Sequence, residues 1–177
     1  MVIIQTNHLN KQELSMIKKY SKFVLDKFVS RSIQNKAIIK INVVSANDLD
    51  NYADVDDLKN YSAWVTYEGI QNDKKVFKVI VNQSHVNRRA KKTLTRMKKL
   101  LIDLGHELVH VKQYLNNEMF DYVAGGVRYK GSFFDHSYKD DEEAYYESPW
   151  ELDSYGREYG LWKMFCSKIK SGEIKCT

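Results

Sequence analysis

Leu94, Met97, Leu101, Leu104, Leu108, Val111 and Leu115 step by three and four along the chain. This spacing predicts a helix of about 28 residues from Arg89 to Asn116 with one apolar stripe. Leu14, Ile17, Tyr20, Val24 and Phe28 carry the same period and predict a first helix over Leu9–Val29. Three short segments rich in β-branched and aromatic residues, Ala37–Val44, Ala63–Glu68 and Val76–Asn82, read as strands of one sheet. Asn72-Asp73 falls between the second and third of these, so that pair forms an antiparallel hairpin. Phe120–Tyr129 reads as a second hairpin, with Gly125-Gly126 free to adopt the positive φ of a two-residue turn, and the stretch from Gly131 to Tyr146 reads as a loop. The last helix starts at Ser148, where Pro149 suits the first helical position after a serine cap. Tyr155, Tyr159, Trp162, Cys166 and Ile169 form its expected inward face. The fold class is therefore α+β.

Composition narrows this picture. A chain of 177 residues that is 43% hydrophobic supports one domain, 1–177, with its own core. No apolar run is long enough for a membrane span, and MVIIQTNHLNKQ has neither a basic n-region nor a long apolar h-region, so the expectation is a soluble, unprocessed cytoplasmic protein with no membrane partner. Cys166 and Cys176 have no C-x-x-C spacing, which fits a reduced compartment, Cys166 in the core and Cys176 as a tail thiol. The loop carrying Asp48, Asp50, Asp54, Asp56 and Asp57 lacks the glycine and terminal glutamate of an EF-hand and reads as solvated.

The net charge is only +5, but it is unevenly spread. Arg88, Arg89, Lys91, Lys92, Arg96, Lys98 and Lys99 crowd the first half of the long helix, while Asp140, Asp141, Glu142 and Glu143 gather later. Cations near a helix N-terminus oppose its macrodipole, so helix stability does not account for them. They form either a solvated face or a patch for nucleic acid or an acidic protein.

The chemistry sits in His106-Glu107-Leu108-Val109-His110. Two histidines four apart lie one turn apart on one helix face, so both imidazoles can reach one ion at about 2.0–2.1 Å. At about 100° per residue they fall opposite the apolar stripe, next to Asp103 and Gln113 and facing a cleft. Glu107, beside the ion rather than on it, is placed to take a proton from activated water. A catalytic zinc needs a third protein ligand, and Glu151 is the candidate, one turn before Tyr155 on the inward face. Ser148-Pro149-Trp150-Glu151 also matches a capping box, in which Glu151 would return to the Ser148 amide, and one carboxylate can hardly do both. Asp153 pairs with Arg157 at i+4 and reads as exposed. Glu147 precedes the helix; His136 is a loop residue, an alternative ligand or a hydrogen-bond donor to the transition state; His8 and His85 have no partner pattern. Tyr129, Tyr145 and Tyr146 can each polarise a carbonyl, and the sequence does not choose among them.

His106–His110, Gln113-Tyr114 just after it, and Tyr146-Glu147-Ser148-Pro149-Trp150-Glu151 with Tyr155 some forty residues later resemble small zincin-like metallopeptidases, many of them encoded by bacteriophages, which would place the chain in the host cytoplasm. The likeness covers Leu104 to Trp162. It implies a compact gluzincin-like fold: an N-terminal helix, a small three-to-four-stranded mixed sheet, the metal helix, a hairpin and a C-terminal glutamate helix. By that resemblance His106, His110 and Glu151 hold Zn2+ and Glu107 is the catalytic base. A more distant likeness to SprT-type proteases lacks their cysteine-rich zinc ribbon. Two functions follow as expectations: a zinc-dependent peptidase acting on a protein or peptide, or a non-catalytic module that binds nucleic acid or an acidic protein through the Arg88–Lys99 surface.

Overall fold

A computed structural model describes residues 1–6, 9–45, 61–89, 93–123, 125–135 and 141–175. The aspartate-rich loop, His8, Lys91, Lys92, His136, Asp140 and Cys176 lie outside the described residues, as do the side chains of Arg88 and Arg89. Strand β1 (Val2–Gln5) leads into helix α1 (Lys11–Phe28), a short helix α2 (Arg31–Asn35), and strands β2 (Ala37–Val44), β3 (Ala63–Gln71) and β4 (Lys74–Asn82). Helices α3 (Gln83–Arg89) and α4 (Thr93–Leu115) follow, then three short strands β5 (Met119–Asp121), β6 (Val127–Tyr129) and β7 (Ser132–Phe134), and helices α5 (Glu142–Glu147) and α6 (Pro149–Lys170). The architecture is α+β, as its patterning predicts.

The main sheet has the order β1-β2-β4-β3, parallel except for β3, which pairs antiparallel with β4 at one edge. Asn72 and Asp73, at φ 49° and 59°, make the tight turn of that hairpin; Asn and Asp tolerate this left-handed region better than other non-glycine residues. Alternation sets the faces. Ala37, Ile39, Ile41 and Val43 of β2 and Phe77, Val79 and Val81 of β4 enter the main core beneath α1 and α4. β1 is a strand the pattern does not announce: four residues at a terminus are too few for a period, and pairing with β2 and a 2.6 Å bond from the Met1 ammonium to the Ala37 carbonyl hold it.

A reciprocal capping box starts α1: the Asn10 side chain accepts from the Glu13 amide and Glu13 accepts from the Asn10 amide, both at 2.9 Å. Helix α4 runs through the middle of the molecule, and every residue from Leu100 to Gln113 is buried, so the side opposite the apolar stripe is covered as well. Its cover is α6, the helix it packs against most extensively. Tyr20 of α1 rests its hydroxyl on Gly105, where a Cβ would collide with it, and packs edge-on against Phe165 of α6 at 5.0 Å.

Three expectations need correction. The inward face of α6 is Trp150, Glu151, Ser154, Leu161 and Phe165, whereas Tyr155 and Tyr159 are exposed and Trp162, Cys166 and Ile169 half-buried. The aromatic spacing misled because Tyr155 and Tyr159 line the rim, while the polar Glu151 and Ser154 turn inward between Trp150 and Leu161. Gly131 to Tyr146 is not all loop: Lys130 and Gly131, both at positive φ, turn the chain into β7, and Asp141 caps α5 by accepting from the Glu143 and Ala144 amides. Both elements are too short to show a period. Gly125 and Gly126 do take positive φ, but five residues, not two, separate β5 from β6. The small sheet packs on Trp150 through Val127, Tyr129 and Phe134, fixing the start of α6. No described helix is long and apolar enough to cross a membrane.

Candidate metal centre

Helices α4 and α6 lie side by side, and the polar residues each buries meet in one place. The Nε2 atoms of His106 and His110 are 3.1 Å apart. Glu151 Oε2 lies 3.1 Å from His106 Nε2, and its Oε1 lies 3.3 Å from His110 Nε2. All three residues are at least nine-tenths buried. The edge of a tetrahedron with metal–ligand bonds of about 2.05 Å is about 3.3 Å, so these spacings fit a four-coordinate ion with one position left over. The group can hold a metal ion. The donor set, two imidazoles and a carboxylate, suits zinc and other borderline cations better than calcium or magnesium.

The outer nitrogens are held too. His106 Nδ1 is 3.0 Å from Glu158 Oε2, and His110 Nδ1 is 2.9 Å from Gln113 Oε1. Each ring therefore donates from Nδ1, and its Nε2, once deprotonated, presents a lone pair to the centre. Gln113, fully buried, passes its amide protons to the Trp150 carbonyl at 3.0 Å and to Asp153 at 3.3 Å. Burial opposes charge on His106, yet the Glu151 and Glu158 carboxylates on its two nitrogens prevail and raise its pKa to about 10. Burial likewise opposes charge on Glu151, and the two histidines prevail, lowering it to about 2. His110 is also raised: Glu151 outweighs its burial.

The two readings of Glu151 are resolved by where its oxygens go. Ser148 makes no side-chain bond to the helix end, and its hydroxyl is buried with no hydrogen-bond partner among the described residues. No capping box forms, and Glu151 serves the histidines. Glu158 escaped the sequence reading although a signal existed: it lies seven residues after Glu151, two turns along the same face. Asp153 pairs with Arg157 at 2.7 Å as expected, but it is not exposed; Lys112 at 3.2 Å and Gln113 draw it into the α4–α6 seam, and it titrates near 2. Burial opposes that shift, and the hydrogen bonds from Arg157 and Gln113 with the Lys112 charge outweigh it. Glu147 ends α5 and is exposed. His85 is buried on α3.

Glu107 is 7% exposed and lines two adjoining cavities of about 400 Å³ each. Burial pushes its carboxyl up, against the pull of His106 and His110. One cavity runs towards Asp103 and Glu158, the other along Trp64, Val65 and Met119; Tyr61 and Ala63 at the start of the edge strand β3 border both. Of the three candidate tyrosines only Tyr145 lines both cavities. Burial, reinforced by the Glu151 charge, pushes its phenol well up, so it stays a proton donor. Tyr129 packs on Trp150, and Tyr146 meets Tyr145 edge-on and Tyr155 at a tilt. Tyr155 lies over the His106 ring at 4.5 Å.

The basic run is partly occupied within the molecule. Arg96 pairs with Glu13 and Lys99 with Asp103, while Lys98 sits over the rings of Trp162 and Tyr159 at 4.6 and 5.3 Å. Comparison of the chain with protein-family models, curated proteins and solved structures returned no match.

Proposed function

We propose that this chain is a zinc-dependent peptidase of the zincin kind. The observation that carries the reading is that His106, His110 and Glu151 converge from two helices at metal-ligand spacing while Glu107 faces an accessible cleft next to them. A zinc ion held by those three residues supplies Lewis acidity towards the scissile carbonyl and the attacking water. Glu107 accepts the proton that water loses as its oxygen bonds to the carbonyl carbon, and returns it to the amine nitrogen as the C–N bond breaks. Burial raises its carboxyl pKa, which makes it a stronger base than an exposed carboxylate. Tyr145 donates to the carbonyl oxygen as negative charge builds there. Strand β3, at the sheet edge beside both cavities, offers main-chain bonds to an extended substrate.

The test separates metal from chemistry. Purified wild type should carry near-stoichiometric zinc and cleave an unstructured protein such as casein. His106→Ala and His110→Ala should lose the ion. Glu107→Gln should keep it and lose turnover by at least about 100-fold, the contribution of one acid–base group. Cleavage surviving in Glu107→Gln would overturn the mechanism, and zinc retained by both histidine variants would overturn the centre. In the competing reading, a module that binds nucleic acid or an acidic protein through Arg88, Arg89, Lys91, Lys92, Arg96, Lys98 and Lys99, binding would ignore Glu107 and weaken with salt. Intramolecular pairing of Arg96 and Lys99 counts against it.

A further inference from the structure

The two cavities flanking Glu107 differ in character. On the Trp64 side Trp64, Val65, Met119 and Trp150 give a more apolar wall, which also carries the Asp121 and Glu151 carboxylates. On the other, three carboxylates besides Glu107, those of Asp103, Glu142 and Glu158, face a single ammonium, Lys99. Asp103 is only 6% exposed. Its Oδ1 pairs with Lys99, whereas Oδ2 is buried and makes no hydrogen bond among the described residues; burial pushes the carboxyl up, against the pull of Lys99 and Ser62. A buried carboxylate oxygen left without a partner is costly, and a ligand donor relieves it. Tyr61, Tyr145, Tyr146 and Tyr155, with Ser62, Ala63, His85 and His106, supply the remaining walls.

We infer that this cavity is the subsite for a basic side chain of the substrate, a lysine or arginine next to the bond to be cut. This rests on the peptidase reading. Carboxylates over a floor of aromatic rings attract an ammonium or guanidinium by charge and by cation–π contact, and they repel acidic side chains. A second metal ion fits less well: among the described residues, only His106, His110 and Glu151 bring ligand atoms together within 4.8 Å, so Asp103, Glu142 and Glu158 do not converge on a point. Dispersed negative charge suits an organic cation on a flexible stem.

The experiment digests a mixed-sequence peptide pool with zinc-loaded wild type and reads the products by mass spectrometry. Lysine or arginine should be enriched at one fixed position relative to the cut, and Asp103→Asn should erase most of that enrichment while norleucine-containing peptides are cut as before. Cleavage with no basic preference overturns the subsite and leaves the peptidase standing. Absence of any cleavage by zinc-loaded protein overturns the peptidase, and the subsite is then judged by calorimetry with blocked pentapeptides carrying lysine or norleucine at the centre. Lysine should bind about tenfold tighter, the effect of one well-placed charged hydrogen bond; equal affinity overturns the inference. Should Asp103→Asn fail to fold, Glu142→Gln, exposed on α5, must reduce the same preference.

Discussion

Replacing Glu158 tests the centre without touching a ligand. Its carboxylate lies 3.0 Å from His106 Nδ1 with 22% of the side chain exposed, so the charge is partly screened by solvent. Outer partners of ligating histidines contribute about 10–100-fold in metal affinity, and the screening places Glu158→Ala near the lower end, about tenfold. Glu158→Gln keeps a neutral acceptor and should lose roughly half of that free energy, about threefold. A second effect has the opposite sign. Glu158 helps hold His106 protonated up to about 10, so the proton competes with the metal throughout the neutral range. Removing the carboxylate weakens that competition. The deficit of Glu158→Ala should therefore be small near about pH 7 and widen to its full size near about pH 9, where wild-type His106 begins to release its proton unaided. Competition against a chromophoric zinc chelator across this range measures it, with circular dichroism as the check on folding. A folded Glu158→Ala protein that matches wild type at the upper end, or a deficit that shrinks as pH rises, would refute the reasoning.

Further expectations follow from the same geometry. Glu151→Gln should lose zinc to a weak chelator that leaves wild type loaded, with the fold of the metal-free protein retained. Asp153→Asn should spare the metal but flatten the acid denaturation curve: Asp153 titrates near 2, so its stabilisation is present above the ordinary carboxylate pKa and disappears as pH falls towards 2. Because His106 is raised to about 10, zinc uptake at neutral pH should release protons, seen as a binding enthalpy that changes with the ionisation heat of the buffer; identical enthalpies in all buffers would contradict it. Gly105→Ala crowds the Tyr20 hydroxyl at a cost of about 1–3 kcal/mol, offset by about 1 kcal/mol of helix propensity. In a Tyr20→Phe background the same change should be neutral or stabilising, and thermal melts that show equal shifts in both backgrounds would exclude the contact.

Periodicity located the elements whose burial is one-sided and long enough to repeat. α1 and β2 fall within two residues of their expected bounds because a stripe or an alternation runs their whole length. It failed on β7 and α5, where three and six residues hold no period and the signals are a Lys-Gly turn and an aspartate cap. His106 and His110 were legible as a pair because residues four apart on one helix share a face, whereas Glu151 was placed with Tyr155 and Tyr159 on a face that the structure turns outward. Glu158 and Gln113 were not assigned as partners, since which nitrogen of which histidine they serve depends on how α4 and α6 are set against each other. The inward face of α6 shows the same limit. Tyr155 and Tyr159 look like core by type, but the helix turns small Ser154 and charged Glu151 inward because the space there is taken by two imidazoles.

Glu151 and Glu158 touch opposite nitrogens of one ring from a single rod of helix, and the second histidine is braced from its own helix by Gln113. Every group that would grip an ion thus belongs to two helices locked along one seam, while the walls that would meet a substrate are contributed in part by β3, α5 and the small sheet. The two meet at Trp150, where the small sheet fixes the start of α6 one residue before Glu151. A sliding of α6 along α4 by one turn, about 5.4 Å, would unseat both carboxylates at once. Wear on the substrate side would show as altered selectivity; slippage of the seam would show as lost metal.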